Sequence, residues 1–158
     1  MLAPQTEWSG YDDLAETIGA VLDGERDLIA NAANMAALLF ATLPDINWAG
    51  FYFLRGDDLV LGPFGGKVAC TRIPMGRGVC GTAAVRRETV LVPDVHAFPG
   101  HIACDAASRS EIVVPLMRDG RVLGVLDIDS PRPDRFDDED RRGCERLARM
   151  LVEGSDAS

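Results

Sequence analysis

Apolar residues recur at helical spacing through the first quarter of the chain. Leu14, Ile18, Val21 and Leu22 share a face, with Asp12 and Asp13 in the first turn, where the helix dipole favours carboxylates. Gly24 ends that helix. A second is predicted over residues 28–43, with Leu28, Ile29, Ala32, Met35 and Leu39 along one broad stripe and Pro44 stopping it. The period then shortens to that of strands. Residues 48–54 (WAGFYFL) are aromatic, 55–58 form a turn, and 59–61 return. Residues 67–73 (KVACTRI) alternate and predict another strand ending at Pro74. Gly76 to Gly78 open a short helix over 79–87, and 89–92 (TVLV) is strand again. Residues 93–110 are too polar and broken for a core element, and ordered loops of this length often carry function. A hairpin of 112–117 and 122–128 closes around Asp119-Gly120. Asp137 caps a last helix bearing Cys144, Leu147, Ala148 and Leu151. The order predicts an α+β fold. A central antiparallel sheet carries the N- and C-terminal helices on one face and the short helix with the long loop on the other.

At 158 residues the chain predicts one domain over 1–158, with about the first ten and last five residues peripheral. It is long enough to bury a core without staples. Sixteen basic against 25 acidic residues give a net charge of −9, and no basic cluster offsets it. Such a surface repels phosphate, so neither nucleic acid nor an anionic membrane is expected as a partner. The N-terminus has no signal-like pattern and no stretch is apolar enough to span a bilayer, so a cytoplasmic location is expected.

Two stretches break local rules. Asp127 and Asp129 continue a strand face that starts with Leu123 and Val125. Carboxylates on a core face are costly unless partnered, and two together raise one another's pKa, which suits a proton donor. The other reading is that the strand has left the core and both are solvated. Trp48 and Tyr52 also share a face, with Gly50 leaving a gap between them that could wall a pocket, or be packed under a helix. A two-residue turn at Asp119-Gly120 sets Glu111 opposite Ile128, on the wrong face for a shared site. An irregularity in the hairpin is therefore predicted, with Pro115 a reasonable place for it.

The four cysteines contain no CxxC. Cys144 lies on an apolar helix face and reads as structural, and Cys70 lies mid-strand. Cys80 opens the short helix, where the dipole would stabilise a thiolate, and Cys104 lies in the accessible loop. His96, His101 and Cys104 lack a clear fourth ligand, so no metal is expected.

GKVACTRIPMGRGVCGTAA (66–84), VPDVHAFPGHIACDAASRSEIVVPL (92–116) and GVLDIDSP (124–131) resemble the free methionine-(R)-sulfoxide reductases, small enzymes built on a GAF domain. The resemblance spans most of the chain and rests on three specific cysteine contexts, VACTR, GVCGT and HIACDAAS. It implies reduction of free methionine (R)-sulfoxide by a homodimer with no bound cofactor, regenerated by thioredoxin. Cys104 would be the nucleophile and Cys70 the resolving thiol, with Cys80 an alternate resolver or rival nucleophile. Trp48 and Tyr52 would wall the methyl-sulfoxide end, and Glu111, Asp127 and Asp129 would be the pocket carboxylates. Backbone amides, Arg72 or Arg109 are left as holders of the substrate carboxylate. The alternative is a GAF domain that binds a small ligand or senses redox state without turnover.

Overall fold

A computed structural model describes residues 7–101 and 106–156. Two helices come first, α1 (Tyr11–Leu22) and α2 (Leu28–Thr42), followed by strands β1 (Trp48–Arg55), β2 (Asp58–Gly66) and β3 (Arg72–Pro74). Helix α3 (Gly78–Arg86), strand β4 (Val90–Val92), a 3-10 turn (Val95–Ala97), β5 (Ser110–Arg118), β6 (Arg121–Ser130) and α4 (Asp138–Glu153) complete the order. The strands form one antiparallel sheet in the order β3-β2-β1-β6-β5-β4. No helix among the described residues is long and apolar enough to cross a membrane.

Capping fixes where the helices begin. Asp27 accepts from the Ala30 amide at 2.8 Å to start α2. Asp137 and Asp140 form a reciprocal capping box at the start of α4. Strand alternation then splits the apolar residues between two cores. Phe51, Phe53, Ile112, Val114, Leu116, Leu126 and Ile128 pack under α1, α2 and α4. Trp48, Tyr52, Val113 and Val125 face the other way, toward Val79, Cys80, Ala83 and Ala84 of α3. The predicted layering is therefore the observed one.

Three local expectations need correction. Ile29 was expected on the buried stripe of α2, but it is 49% exposed, while Ala36 and Leu38 join the core instead. The helix buries a face centred on Ala32, Met35 and Leu39, and Ile29 falls just outside it. Residues 67–71 are not strand, and only Arg72–Pro74 pairs, with β2. Gly66, at φ 134°, turns the chain out of β2. Two carbonyls of the following segment are then taken by aromatic side chains rather than a neighbouring strand: Trp48 Nε1 donates to Lys67 O and Tyr52 Oη to Cys70 O, each at 3.1 Å. Near the C-terminus, Ser155 falls within the stretch expected to be peripheral, yet it is fully buried. It accepts from Asn31 Nδ2 at 2.9 Å and from an Arg118 guanidinium at 2.7 Å.

The β5–β6 hairpin carries the predicted irregularity. Arg118 faces Arg121 and Met117 faces Val122, as a two-residue turn requires, but Leu116 then faces Gly124. Leu123 is the extra residue, one step from Pro115 along the ladder. Beyond it Val113 faces Asp127 and Glu111 faces Asp129. The bulge also sends Leu123 to the helix-covered core while Val125 points to the other side, so the two do not share a face as expected.

Gly124, beside this bulge, is crossed closely by β1: a Cβ there would lie 2.1 Å from Tyr52 O and 2.9 Å from Phe53 Cα. Backbone cannot yield as a flexible side chain would. Gly124→Ala is expected to destabilise the fold by about 1–3 kcal/mol, the usual cost of overpacking. Chemical denaturation checks this, and an unchanged midpoint would contradict it.

Candidate active site

The face of the sheet opposite α1, α2 and α4 holds a cavity of about 40 Å³. Trp48 and Tyr52 of β1, Glu111 of β5, Asp127 and Asp129 of β6 and Cys80 of α3 line it. Val68 and Ala69 close one side, His101 and Ser108 another. The structure thus brings together Trp48, Tyr52, Cys80, Glu111, Asp127 and Asp129, six of the eight residues expected at a site. Cys70 follows the Val68–Ala69 wall, held by the Tyr52 hydroxyl on its carbonyl. Cys104 lies outside the described residues.

The aromatic pair is packed rather than surface-exposed. Trp48 and Tyr52 are each 2% exposed and stack with ring centroids 5.9 Å apart, and Phe64 stacks on Trp48 at 5.3 Å. Gly50 leaves no gap: a Cβ there would come within 2.3 Å of Phe64 Cβ and 2.8 Å of Trp48 Cη2. Its lack of a side chain is what lets Phe64 and Trp48 close up. The two polar handles of the pair face the Cys70 segment, so the same rings both wall the cavity and tether that segment.

Glu111 and Asp127 are buried, which rules out the reading in which the strand has left the core. Burial first, then the Asp127 and Asp129 charges, hold the Glu111 carboxyl well above the usual carboxylate range. Asp127 is also raised by burial, opposed by hydrogen bonds from Glu111, Cys80 and Asp129. Both shifts favour the protonated form of the pair, and Glu111, raised the further, is its stronger proton holder. One atom of the group, Asp127 Oδ1, is buried with no hydrogen-bond partner among the described residues. Burial also lowers the His101 imidazole, so it faces the cavity neutral at pH 7.

The cysteines separate by environment. Cys80 does open α3, but the expected thiolate is contradicted. Burial and the charges of Asp127, Glu111 and Asp129 push its thiol well above the ordinary value. A helix terminus contributes about half a charge, too little against a desolvated acidic pocket. Cys144 is a buried thiol raised by burial to about 12, with the Tyr11 hydroxyl 3.7 Å away, which fits its structural reading. Cys80 and Cys144 are free thiols, whereas Cys70 is disulfide-bonded.

Sequence reasoning missed Ser108 and the Val68–Ala69 wall. Ser108 Oγ accepts from Asn47 Nδ2 at 3.1 Å, which fastens the 93–110 loop beside the cavity. An Asn one residue before an aromatic strand was the available signal. The Val68 wall was hidden by the alternation that made its segment look like strand.

A GAF domain family model matches residues 13–151. The fold alone is shared widely. The GAF domain of a phosphoenolpyruvate-protein phosphotransferase from Coxiella burnetii superposes with a TM-score of 0.82 at 18% identity, covering 92% of each chain. The layered sheet is thus that of a GAF domain. Closer relatives narrow this. The free methionine-R-sulfoxide reductase of Escherichia coli is 56% identical over 141 residues, covering 89% of this chain and 86% of that protein. The Neisseria meningitidis free methionine-R-sulfoxide reductase, solved in complex with its substrate, superposes with a TM-score of 0.90 at 45% identity, covering 96% of this chain and 95% of that one. The chain belongs to the free methionine-R-sulfoxide reductase family.

A protonated Glu111 has a thermodynamic signature. Folded, the group keeps its proton; unfolded, it ionises above its ordinary value of 4.5. The folded state then binds more protons, so this contribution to stability is complete below that value and is lost as pH rises toward the folded pKa. Between about pH 5 and about pH 8 the melting temperature of the wild type is expected to fall more than that of Glu111→Gln. Parallel profiles would show that Glu111 is already ionised in the folded protein.

Proposed function

We propose that this chain reduces free L-methionine (R)-sulfoxide to L-methionine. The observation that carries the reading is the Glu111–Asp127–Asp129 group, with Glu111 and Asp127 buried, beside an aromatic wall and the cysteine segment. The substrate complex of the Neisseria meningitidis relative supports the choice of substrate. Asp127 and Asp129 receive the substrate ammonium, which a peptide-bound residue lacks. Trp48 and Tyr52 pack against the methyl-sulfoxide end. Backbone amides, Arg72 or Arg109 hold the substrate carboxylate.

The Cys104 thiolate attacks the sulfoxide sulfur while a carboxyl group of the cluster protonates the sulfoxide oxygen. The oxygen passes to the cysteine, so that methionine leaves as a thioether and Cys104 remains as a sulfenic acid. The Cys70 thiol then condenses with it, forming the disulfide and releasing water. Thioredoxin dithiol opens that disulfide by exchange and is itself oxidised. The disulfide-bonded state of Cys70 supports its role as resolving thiol, and the free state of Cys80 and Cys144 supports Cys104 as the thiol it resolves in this reading. The high pKa of Cys80 argues against it as first nucleophile and favours a place among the proton-sharing groups. Homodimeric assembly in the cytoplasm, with no bound cofactor, belongs to the same reading.

Thioredoxin-coupled NADPH consumption on the separated epimers tests it. Turnover of the R epimer alone is expected, abolished by Cys104→Ser. Glu111→Gln should lose at least about a hundredfold, the usual worth of a positioned proton donor, and the Asp127→Asn, Asp129→Asn double variant should lose activity through weaker binding of the substrate ammonium. Activity on neither epimer would leave a ligand-binding or redox-sensing GAF domain.

A further inference from the structure

Three atoms of metal-ligand type meet at the floor of the cavity. Cys80 Sγ, one Glu111 carboxylate oxygen and one Asp127 carboxylate oxygen all lie within 4.8 Å of one another, and all three side chains are buried. They come from α3, β5 and β6, so the tertiary fold, not sequence proximity, gathers them. A tetrahedral zinc ion, with sulfur about 2.3 Å and oxygen about 2.0 Å away, sets its ligands about 3.3–3.6 Å apart. The three atoms need to close by little more than about 1 Å, well within side-chain adjustment.

A second observation points to a ligand. Asp127 Oδ1 is buried against the cavity with no hydrogen-bond partner among the described residues, and Asp127 is only 6% exposed. A buried carboxylate oxygen without a donor costs free energy that a cation would recover. Asp129 and His101 line the same cavity, so a fourth ligand or a water can complete the shell.

We propose that Cys80, Glu111 and Asp127 form a binding site for a borderline-soft divalent cation, chemically suited to zinc, which excludes the organic substrate when occupied. The mixed sulfur and oxygen donor set fits zinc or cadmium and not magnesium or calcium, which take oxygen ligands. On binding, the Cys80 thiol and the Glu111 carboxyl release their protons to solvent as metal–sulfur and metal–oxygen bonds form; no group is oxidised or reduced. The ion takes the carboxylate that would otherwise receive the substrate ammonium. The exclusion of substrate rests on the reductase reading above, whereas the binding itself does not.

Cadmium added to the oxidised protein tests this, because Cys70 is then in its disulfide and Cys80 and Cys144 are free. A thiolate-to-cadmium charge-transfer band in the ultraviolet is expected to saturate at one equivalent and to be erased by excess zinc. The band should be absent in Cys80→Ala, retained in Cys144→Ala, and at least about tenfold weaker in affinity in Asp127→Asn. Circular dichroism confirms that each variant is folded. No band in the folded wild type, or a band that survives Cys80→Ala, would overturn the site. A missing band beside normal sulfoxide turnover removes the metal site alone, and absent turnover beside an intact band removes only the reductase reading.

Discussion

Three carboxyl groups gathered on one face of a sheet, two of them buried, repel one another strongly enough to decide their own protonation. At the spacing of Glu111 and Asp127, within 4.8 Å, two full charges in surroundings of effective dielectric about 20 would cost on the order of 3 kcal/mol, before any desolvation. Keeping a proton on Glu111 removes that cost and turns repulsion into hydrogen bonds to Asp127 and Asp129. The neighbouring features follow from this. Cys80 stays a thiol because it is buried and, beyond that, faces the same negative field. The cavity offers an acid and anionic oxygens side by side, which is what a cationic substrate with a basic oxygen requires.

The assembly of that group depends on one extra residue. Without Leu123 bulged out of β6, Glu111 would face Ile128 and point into the core beneath α1, α2 and α4. With it, Glu111 faces Asp129 and Val113 faces Asp127. The tight passage of β1 over Gly124 sits just after the bulge, so the point that sets the register is also among the most closely packed in the sheet. Trp48 and Tyr52, from the strand on the other side of β6, complete the wall and hold the Cys70 segment over it.

Much of this was legible locally. The Asp119-Gly120 turn, the Asp137 cap and the helix at Val79 follow from residue types whose backbone preferences are strong. The bulge was legible in a different way. A regular hairpin turned Glu111 away from Asp127 and Asp129, and that conflict called for an irregularity near Pro115, although nothing there singled out Leu123. What failed depended on contacts distant in sequence. The alternation of Lys67–Ile73 has the strand period, but its Lys67 and Cys70 carbonyls are bonded by the Trp48 and Tyr52 side chains from another strand. Cys80 has a helix N-terminus before it and three carboxyl groups across from it, and only the first of these is visible in its own neighbourhood.

The GAF fold is shared with a protein only 18% identical to this chain, so the layered sheet alone does not specify chemistry. The specific part is the carboxyl cluster, whose raised Glu111 carboxyl is expected to hold a proton at neutral pH. Infrared difference spectroscopy of the protein at neutral pH reads it most directly, through the carbonyl stretch of a protonated carboxylic acid. The band should be present in the wild type, shifted in deuterium oxide, and absent in folded Glu111→Gln. A wild-type spectrum without a protonated carboxyl at neutral pH would contradict the account.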